Sequence, residues 1–406
     1  MPRRTEPADR GGPPRDEIVE VRIDSLAAGG DGVGRAPDGR VVFVPFTAPG
    51  DLARVAIRER RARWLRGEAV ALLEAGPGRT DPLCPVFGTC GGCDWQHLAY
   101  PTQIEAKRAL LADAIERIAR LPLPERFVFH GSPAPYGYRS RARVAADRGR
   151  VGFRRRRSHA VCAVSRCPVL VPALDAPLAA LTAAPPARDA EWELTAGADG
   201  AVSVARLPVR DSGDWVPVDV LGERLRISAG SFLQANEALR GELARSVVDA
   251  AGGEGTCLEL FAGAGFFTLP LARRFARVVA VEANPGAVAD LEENLAAAGL
   301  GGVEILSAPV ERALEARELA ALLPDVVVLD PPRTGLSPEA CEGLLALGAP
   351  RIVYVSCDPA TLARDVAVLA DRGYALDALE GFDLFPQTAH VEAVARLERP
   401  RRTPRG

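Results

Sequence analysis

From Thr256 to Val355, apolar runs of four or five residues alternate with stretches of helical period. The runs are Thr256–Leu260, Val278–Val281, Val303–Leu306, Val326–Leu329 and Ile352–Val355. They lack polar alternation, as strands covered on both faces do. Helices are predicted after the first run to about Phe275, and then over Pro285–Ala298, Val310–Leu322 and Pro338–Leu347. An antiparallel pair is expected to end the series. The texture is that of a doubly wound α/β sheet, which binds ligands beyond the carboxyl ends of its strands.

The N-terminal region has a different rhythm. From Glu17 to about Gly78, short strand-like runs (Ile18–Ile23, Arg40–Pro45, Leu52–Ile57, Ala69–Leu73) are separated by turns such as Gly29-Gly-Asp-Gly32. Such spacing predicts a small β-barrel, a fold that carries RNA on a basic face or serves in oligomerisation. Tyr100–Ala119 reads as a helix with Ile104, Leu111, Ile115 and Ile118 inward, and Lys107, Arg108 and Arg117 on its exposed face. A hairpin is predicted over Tyr136–Val164, turning at Asp147-Arg-Gly149.

Charge sharpens this division. The 406 residues are 48% apolar and 25% charged, with a net charge of −3, which fits a globular chain of two or three domains. Between Arg139 and Arg166, however, stand ten arginines and a single acid, Asp147. Tyr136, Tyr138 and Phe153 are interleaved, so the hairpin is expected to hold phosphates and stack bases. A second basic run, Arg54 to Arg66, is opposed nearby only by Glu59. The most apolar stretch, Val169–Ala184, is broken by Pro172, Asp175 and Pro177, so no membrane span is expected. The N-terminus has no apolar export segment, which points to a cytoplasmic protein whose eight cysteines are free thiols or metal ligands.

Four patterns carry chemistry. Cys357 follows the strand Arg351–Val355 and precedes Asp358-Pro359, a good N-cap and first helical residue. A helix N-terminus favours a thiolate there, although a free cysteine is commonly a small buried filler. Cys84, Cys90 and Cys93, spaced C-x5-C-x2-C, suit one metal or cluster and need a fourth ligand. Cys167, followed by proline, is the natural candidate, Cys162 the competitor, and zinc an equal fit on geometry. Gly263 and Gly265 let backbone approach a ligand after the first strand. Thr268 stands where a dinucleotide fingerprint wants glycine, which favours S-adenosylmethionine over NAD. Glu282, closing the second strand, is placed to accept from both ribose hydroxyls, and two prolines stiffen the loop that follows Asp330.

Ser231-Phe-Leu-Gln-Ala-Asn236, Leu260-Phe-Ala-Gly-Ala-Gly265, Asp330-Pro-Pro-Arg333, Ser356-Cys-Asp-Pro359 and His390-Val-Glu392 together resemble the S-adenosylmethionine-dependent RNA uracil-5-methyltransferases. The resemblance covers nearly the whole chain. It implies a Rossmann-like class I methyltransferase domain, an N-terminal OB-like TRAM barrel and a central α+β RNA-recognition domain. The implied divisions are a disordered tail over 1–15, barrel 16–78, central domain 79–225, catalytic domain 226–400 and tail 401–406. It further implies that Cys357 is the nucleophile and Glu392 the base. Gln234, Phe261, Gly263, Gly265, Glu282 and Asp330 would line the cofactor site. Cys84, Cys90, Cys93 and Cys167 would hold a [4Fe–4S] cluster. That cluster leans the expected substrate toward 23S ribosomal RNA, with transfer RNA as the alternative. A non-catalytic RNA-binding protein is the rival of another class. A monomer with no membrane partner is expected.

Overall fold

The computed structural model describes residues 17–209, 213–316, 319 and 321–399; the expected tails, 1–15 and 401–406, lie outside the described residues. The described residues form two compact units, one running to Asp81 together with Asp94–Ala99, the other Pro82–Cys93 together with the chain from Tyr100 onward.

The first unit is a closed five-stranded barrel, ordered Ile18–Leu26, Gly32–Arg35, Val41–Val44, Trp64–Glu74, Leu52–Arg60. Its inward residues include Val21, Ile23, Val42, Val44, Val55 and Leu65. The strand Gly32–Arg35 was not anticipated, because glycine is a poor strand former. Here glycine is required: a Cβ at Gly34 would land on the carbonyl oxygen of Arg22. The basic run is also less bare than expected. Arg54 pairs with Glu20, Arg58 with Glu68, Arg60 with Glu17 and Arg61 with Glu59. Three of those acids come from other strands or from the residue leading into one, so the sequence neighbourhood undercounted them.

The second unit centres on an eight-stranded sheet. Its order is Glu304–Ser307, Arg277–Glu282, Thr256–Leu260, Val326–Leu329, Arg351–Ser356, Glu392–Glu398, Ala375–Phe382 and Arg126–His130. The first five strands are parallel, and Glu392–Glu398 runs antiparallel to both neighbours. Alternate residues feed two cores. Leu258, Leu260, Val327, Leu329 and Tyr354 pack on one face. Cys257, Val326, Val328, Val353 and Val355 pack on the other. Asn284, Ser337 and Asp358 cap the helices Pro285–Ala297, Pro338–Leu347 and Pro359–Asp371, each with proline at the first position. The predicted helix from Val310 ends at Leu314. The edge strand Arg126–His130, drawn from the segment read as the central domain, pairs in parallel with Ala375–Phe382.

A second sheet holds the hairpin strands Arg141–Asp147 and Arg150–Arg154, with Arg148 and Gly149 at positive φ in the turn. Two expectations fail here. Tyr138 is buried and its hydroxyl donates to the Pro386 carbonyl at 2.9 Å, so it is not a stacking platform. Lys107 is fully buried, because Gln103, Lys107 and Leu111 form the inward face of the helix Tyr100–Asp113 at four-residue spacing. Ile118, expected inward, is exposed, since the chain continues as a π-helical turn over Ala114–Ala119.

In the barrel, buried Asp51 accepts from the N–H groups of Ala48 (2.7 Å) and Gly76 (2.8 Å) and from Arg79. Burial pushes its carboxyl up, but Arg79 and the two N–H groups outweigh that and hold it below its ordinary value. A depressed pKa stabilises the fold above the unfolded value of about 3.9, and that contribution disappears as pH falls through the folded value. Asp51→Asn should cost the barrel about 3 kcal/mol at neutral pH. Hydrogen exchange of the Val42 and Val55 amides in the whole chain should show this, with a smaller loss between about pH 5 and about pH 2.5 in the variant than in the wild type.

Candidate active site

The strand Arg351–Ser356 pairs antiparallel with Glu392–Glu398 in the register Ser356 to Ala393. One step further along each chain stand Cys357 and Glu392. On the other side, Leu329 pairs with Tyr354, so Asp330 emerges at the same sheet edge. Leu260 pairs with both Leu329 and Val281, which brings Phe261 and Glu282 to that edge as well. The topology thus gathers Cys357, Glu392, Asp330, Phe261, Gly263 and Glu282 around one set of strand ends.

Local sequence explains each placement. Ser356 Oγ accepts from the Asp358 N–H at 3.2 Å, and Asp358 Oδ1 accepts from Ala360 and Thr361, both at 3.0 Å. The chain therefore turns from strand to helix at Cys357. Phe261, at φ 63°, occupies a region that few non-glycine residues adopt, a strain typical of ligand sites. A Cβ at Gly263 would meet nothing within 4 Å, whereas one at Gly265 would strike Leu269 and Leu291. The first glycine therefore borders open space, and the second allows the loop to pack on its own helix.

Glu282 Oε2 accepts from the Gly263 N–H at 2.8 Å, and Oε1 from Ala283 and Asn284 at 2.8 and 2.7 Å. A carboxylate has about four lone-pair directions. The remaining capacity is one on Oε2, which narrows the expectation that Glu282 accepts from two ribose hydroxyls. Gln234 is buried, and its Oε1 has no protein partner. A buried amide oxygen without a partner costs about 1–3 kcal/mol, so it suits a ligand donor. The open flank of Gly263 and the orphaned Gln234 oxygen both fit a bound methyl donor.

The electrostatics reverse one expectation. The Cys357 thiol is pushed up to about 12, chiefly by burial, then by Glu392 and Asp330, with Arg333 opposing. The helix N-terminus does not overcome those terms. Burial also raises the Asp330 carboxyl, and burial together with Asp330 raises Glu392 well above the usual carboxylate range. Glu259, overlooked within an otherwise apolar strand, is pushed up to about 8 by burial. Thr268 lies close enough to soften that shift, yet neither Glu259 oxygen reaches a partner at hydrogen-bond distance. An acid inside a β-branched run was the signal for it.

The cysteine motif lies elsewhere in the second unit. Cys90 feels Cys162, Cys167 and Cys84, and burial pushes its thiol up to about 11. Cys167 feels Cys84, while Tyr136 feels Cys93 and Cys84. The thiols thus share one neighbourhood and suit a thiophilic metal in donor chemistry. Among the described residues, no three His, Cys, Asp or Glu side chains are arranged as a closed metal-binding group.

An open, mostly parallel sheet, a glycine turn after its first strand and an acid closing the next are features of the S-adenosylmethionine-dependent methyltransferase class. A model described as tRNA (Uracil-5-)-methyltransferase matches residues 216–400, and one for the TRAM domain matches residues 15–70. The 23S rRNA (uracil(1939)-C(5))-methyltransferase RlmD of Chromohalobacter salexigens is 36% identical, over 95% of this chain and 90% of its own. An uncharacterised RNA methyltransferase of Thermosynechococcus vestitus is 34% identical, over 93% and 97%. The Pyrococcus abyssi tRNA (uracil-54, C5)-methyltransferase, solved with S-adenosyl-L-homocysteine, superposes with a TM-score of 0.72 at 26% identity, over 93% of this chain and 100% of that one. The chain belongs to the family of S-adenosylmethionine-dependent RNA uracil-5-methyltransferases.

With a pKa near 12, Cys357 stays a thiol in the ligand-free protein at neutral pH. Its alkylation by iodoacetamide, followed by peptide mass spectrometry, should be at least about a hundredfold slower at pH 8 than that of an ordinary thiol of pKa about 8.5. The rate should climb about tenfold per pH unit to pH 10; a plateau near pH 8 would contradict the assignment.

Proposed function

We propose that this protein transfers a methyl group to carbon 5 of a uridine in 23S ribosomal RNA, with Cys357 as nucleophile and Glu392 as base. The reading is carried by the adjacency of Cys357 and Glu392, one register step beyond Ser356 and Ala393, at the strand ends that also present Gly263 and Glu282. Gln234, Phe261, Gly263, Gly265, Glu282 and Asp330 would hold S-adenosylmethionine, which supplies an electrophilic methyl group on a sulfonium.

Carbon 5 of a neutral uracil is too weak a nucleophile to take that methyl group unaided. The Cys357 Sγ, after giving its proton to the Asp330 carboxylate and leaving Glu392 free for the later step, adds to carbon 6 and leaves an enolate with electron density at carbon 5. The new carbon–carbon bond forms as the sulfonium–methyl bond breaks, and that electron pair stays on the departing sulfur. Glu392 then removes the carbon 5 proton, the carbon 6–Sγ bond breaks, and Cys357 leaves as the thiolate. Their raised pKa values make Asp330 and Glu392 strong proton acceptors once a neighbouring positive charge has ionised them.

The target base must leave its stack to reach such a crevice. A groove of about 1120 Å³ is lined by Arg143, Arg148, Arg154 and His159, with Asp147, Asp189 and Glu191 offsetting part of the charge. It supports RNA contact by the hairpin sheet. We assign Cys84, Cys90, Cys93 and Cys167 to a [4Fe–4S] cluster that braces this region, remote in sequence from the chemistry. The RlmD relative and the four-thiol set favour ribosomal RNA; the transfer-RNA structural relative supplies the alternative.

Cys357→Ala should abolish transfer of radiolabelled methyl while RNA binding persists; retained turnover would refute the covalent route. Glu392→Gln should trap the protein on RNA as a denaturation-resistant gel shift, and its absence would count against the base assignment. Assays on 23S ribosomal and transfer RNA transcripts, with 5-methyluridine mapping, decide the substrate. Anaerobically purified protein should contain iron and absorb broadly in the visible. Cys167→Ser should lose that absorbance and Cys162→Ser should keep it, whereas zinc without iron would overturn the cluster.

A further inference from the structure

Lys107 is the single lysine among 50 lysine and arginine residues. Its side chain is 0% exposed and ion-paired with Asp383, also 0% exposed. Its Nζ also donates to the Phe385 carbonyl at 3.0 Å. Its compact ammonium carries three donors, and here they serve a carboxylate and a carbonyl together. The charge lies inside the second unit, where two partners of a buried pair must both be satisfied.

What the pair holds is the connection between two strands of the active sheet. Phe382 is the register partner of Glu392, so Asp383 begins, and Val391 ends, the segment that returns the chain to Glu392. Buried groups from outside the segment pin it along its length. The Asp383 N–H donates to the His130 carbonyl at 2.9 Å, and Asn236 Nδ2 donates to the Asp383 carbonyl at 3.4 Å. Gln103 accepts from the Gln387 N–H at 2.9 Å and donates to its side chain at 3.0 Å. Gln103 and Lys107 both belong to the helix Tyr100–Asp113. Asn236 lies two residues after Gln234 and caps the helix Glu237–Ala251. One polar network therefore connects that helix, the Gln234 segment and the approach to Glu392.

We propose that Lys107 and Gln103 are positioning residues, which fix the Asp383–Val391 segment so that Glu392 meets the carbon 5 proton. The proposal rests on the reaction assigned above. Methyl transfer itself needs Cys357 and the donor, whereas release of the methylated RNA needs Glu392 in place. Loosening the segment should therefore slow release more than binding.

The test pairs Lys107→Met/Asp383→Asn, which removes both charges together, with Gln103→Met, which leaves no unpaired charge. In the full chain, the double variant should lose about tenfold to a hundredfold in kcat, with KM for S-adenosylmethionine and for RNA within about twofold. Gln103→Met should lose severalfold. Both should accumulate methylated, denaturation-resistant protein–RNA adduct that the wild type does not. If the double variant fails to fold, by circular dichroism, Gln103→Met decides. Wild-type kcat in a folded variant overturns the positioning role, as does a loss of kcat without adduct. If the wild type transfers no methyl and Glu392→Gln traps nothing, the reaction itself falls and this role with it.

Discussion

The antiparallel pairing of Glu392–Glu398 against Arg351–Ser356 is the constraint on which the site depends. Parallel neighbours deliver only strand endings to one edge of a sheet. A neighbour running the other way delivers a strand beginning there, so Glu392 arrives from the direction opposite to Cys357. A slip of one residue would turn every side chain of that strand to the wrong face. Both faces are buried, with Ala393, Ala395 and Leu397 in one core and Val394 in the other, so such a slip would misplace apolar residues throughout. The hydrophobic core thereby sets the geometry of the chemistry.

That edge is crowded with acids. Glu259, Asp330 and Glu392 are buried there, and burial and mutual repulsion raise their carboxyl groups. Three backbone N–H groups hold the Glu282 carboxylate in place beside them. Burial, Glu392 and Asp330 together keep the Cys357 thiol protonated. A cationic ligand reverses the balance, since a positive charge favours both carboxylate and thiolate. A sulfonium donor thus suits this crevice electrostatically.

How much of this was legible depends on how local each cause is. The parallel strands, the glycine turn and the Asp358-Pro359 cap follow from patterns spanning a few residues, and they stand where the sequence placed them. A charge on a helix normally faces solvent, whereas Lys107 is buried against a partner 276 residues away. Tyr138 was hidden in the same manner, by a carbonyl 248 residues distant. The Cys357 thiol misled because a helix N-terminus is a local feature, while burial and two facing carboxyls are tertiary ones. Arg126–His130 is a five-residue strand whose partner strand lies some 250 residues on, and nothing in so short a run names that partner.

The same distinction separates the two basic regions. An arginine already paired with a carboxylate can take a phosphate only by releasing the first partner, and exposed pairs of this kind are worth only about 0–1 kcal/mol. The exchange is possible but brings little net attraction. In the barrel, Arg54, Arg58, Arg60 and Arg61 are all engaged in this manner. In the hairpin sheet, Arg143 is 71% exposed at 3.9 Å from Glu193, and Arg148 is 93% exposed at 3.8 Å from Asp147, loose contacts that a phosphate displaces at little cost. Counterion release on RNA binding scales with phosphates newly neutralised. The hairpin sheet thus combines two loosely held arginines, Arg143 and Arg148, with the tighter pairs Arg141–Glu193 and Arg154–Glu191, both at 2.6 Å.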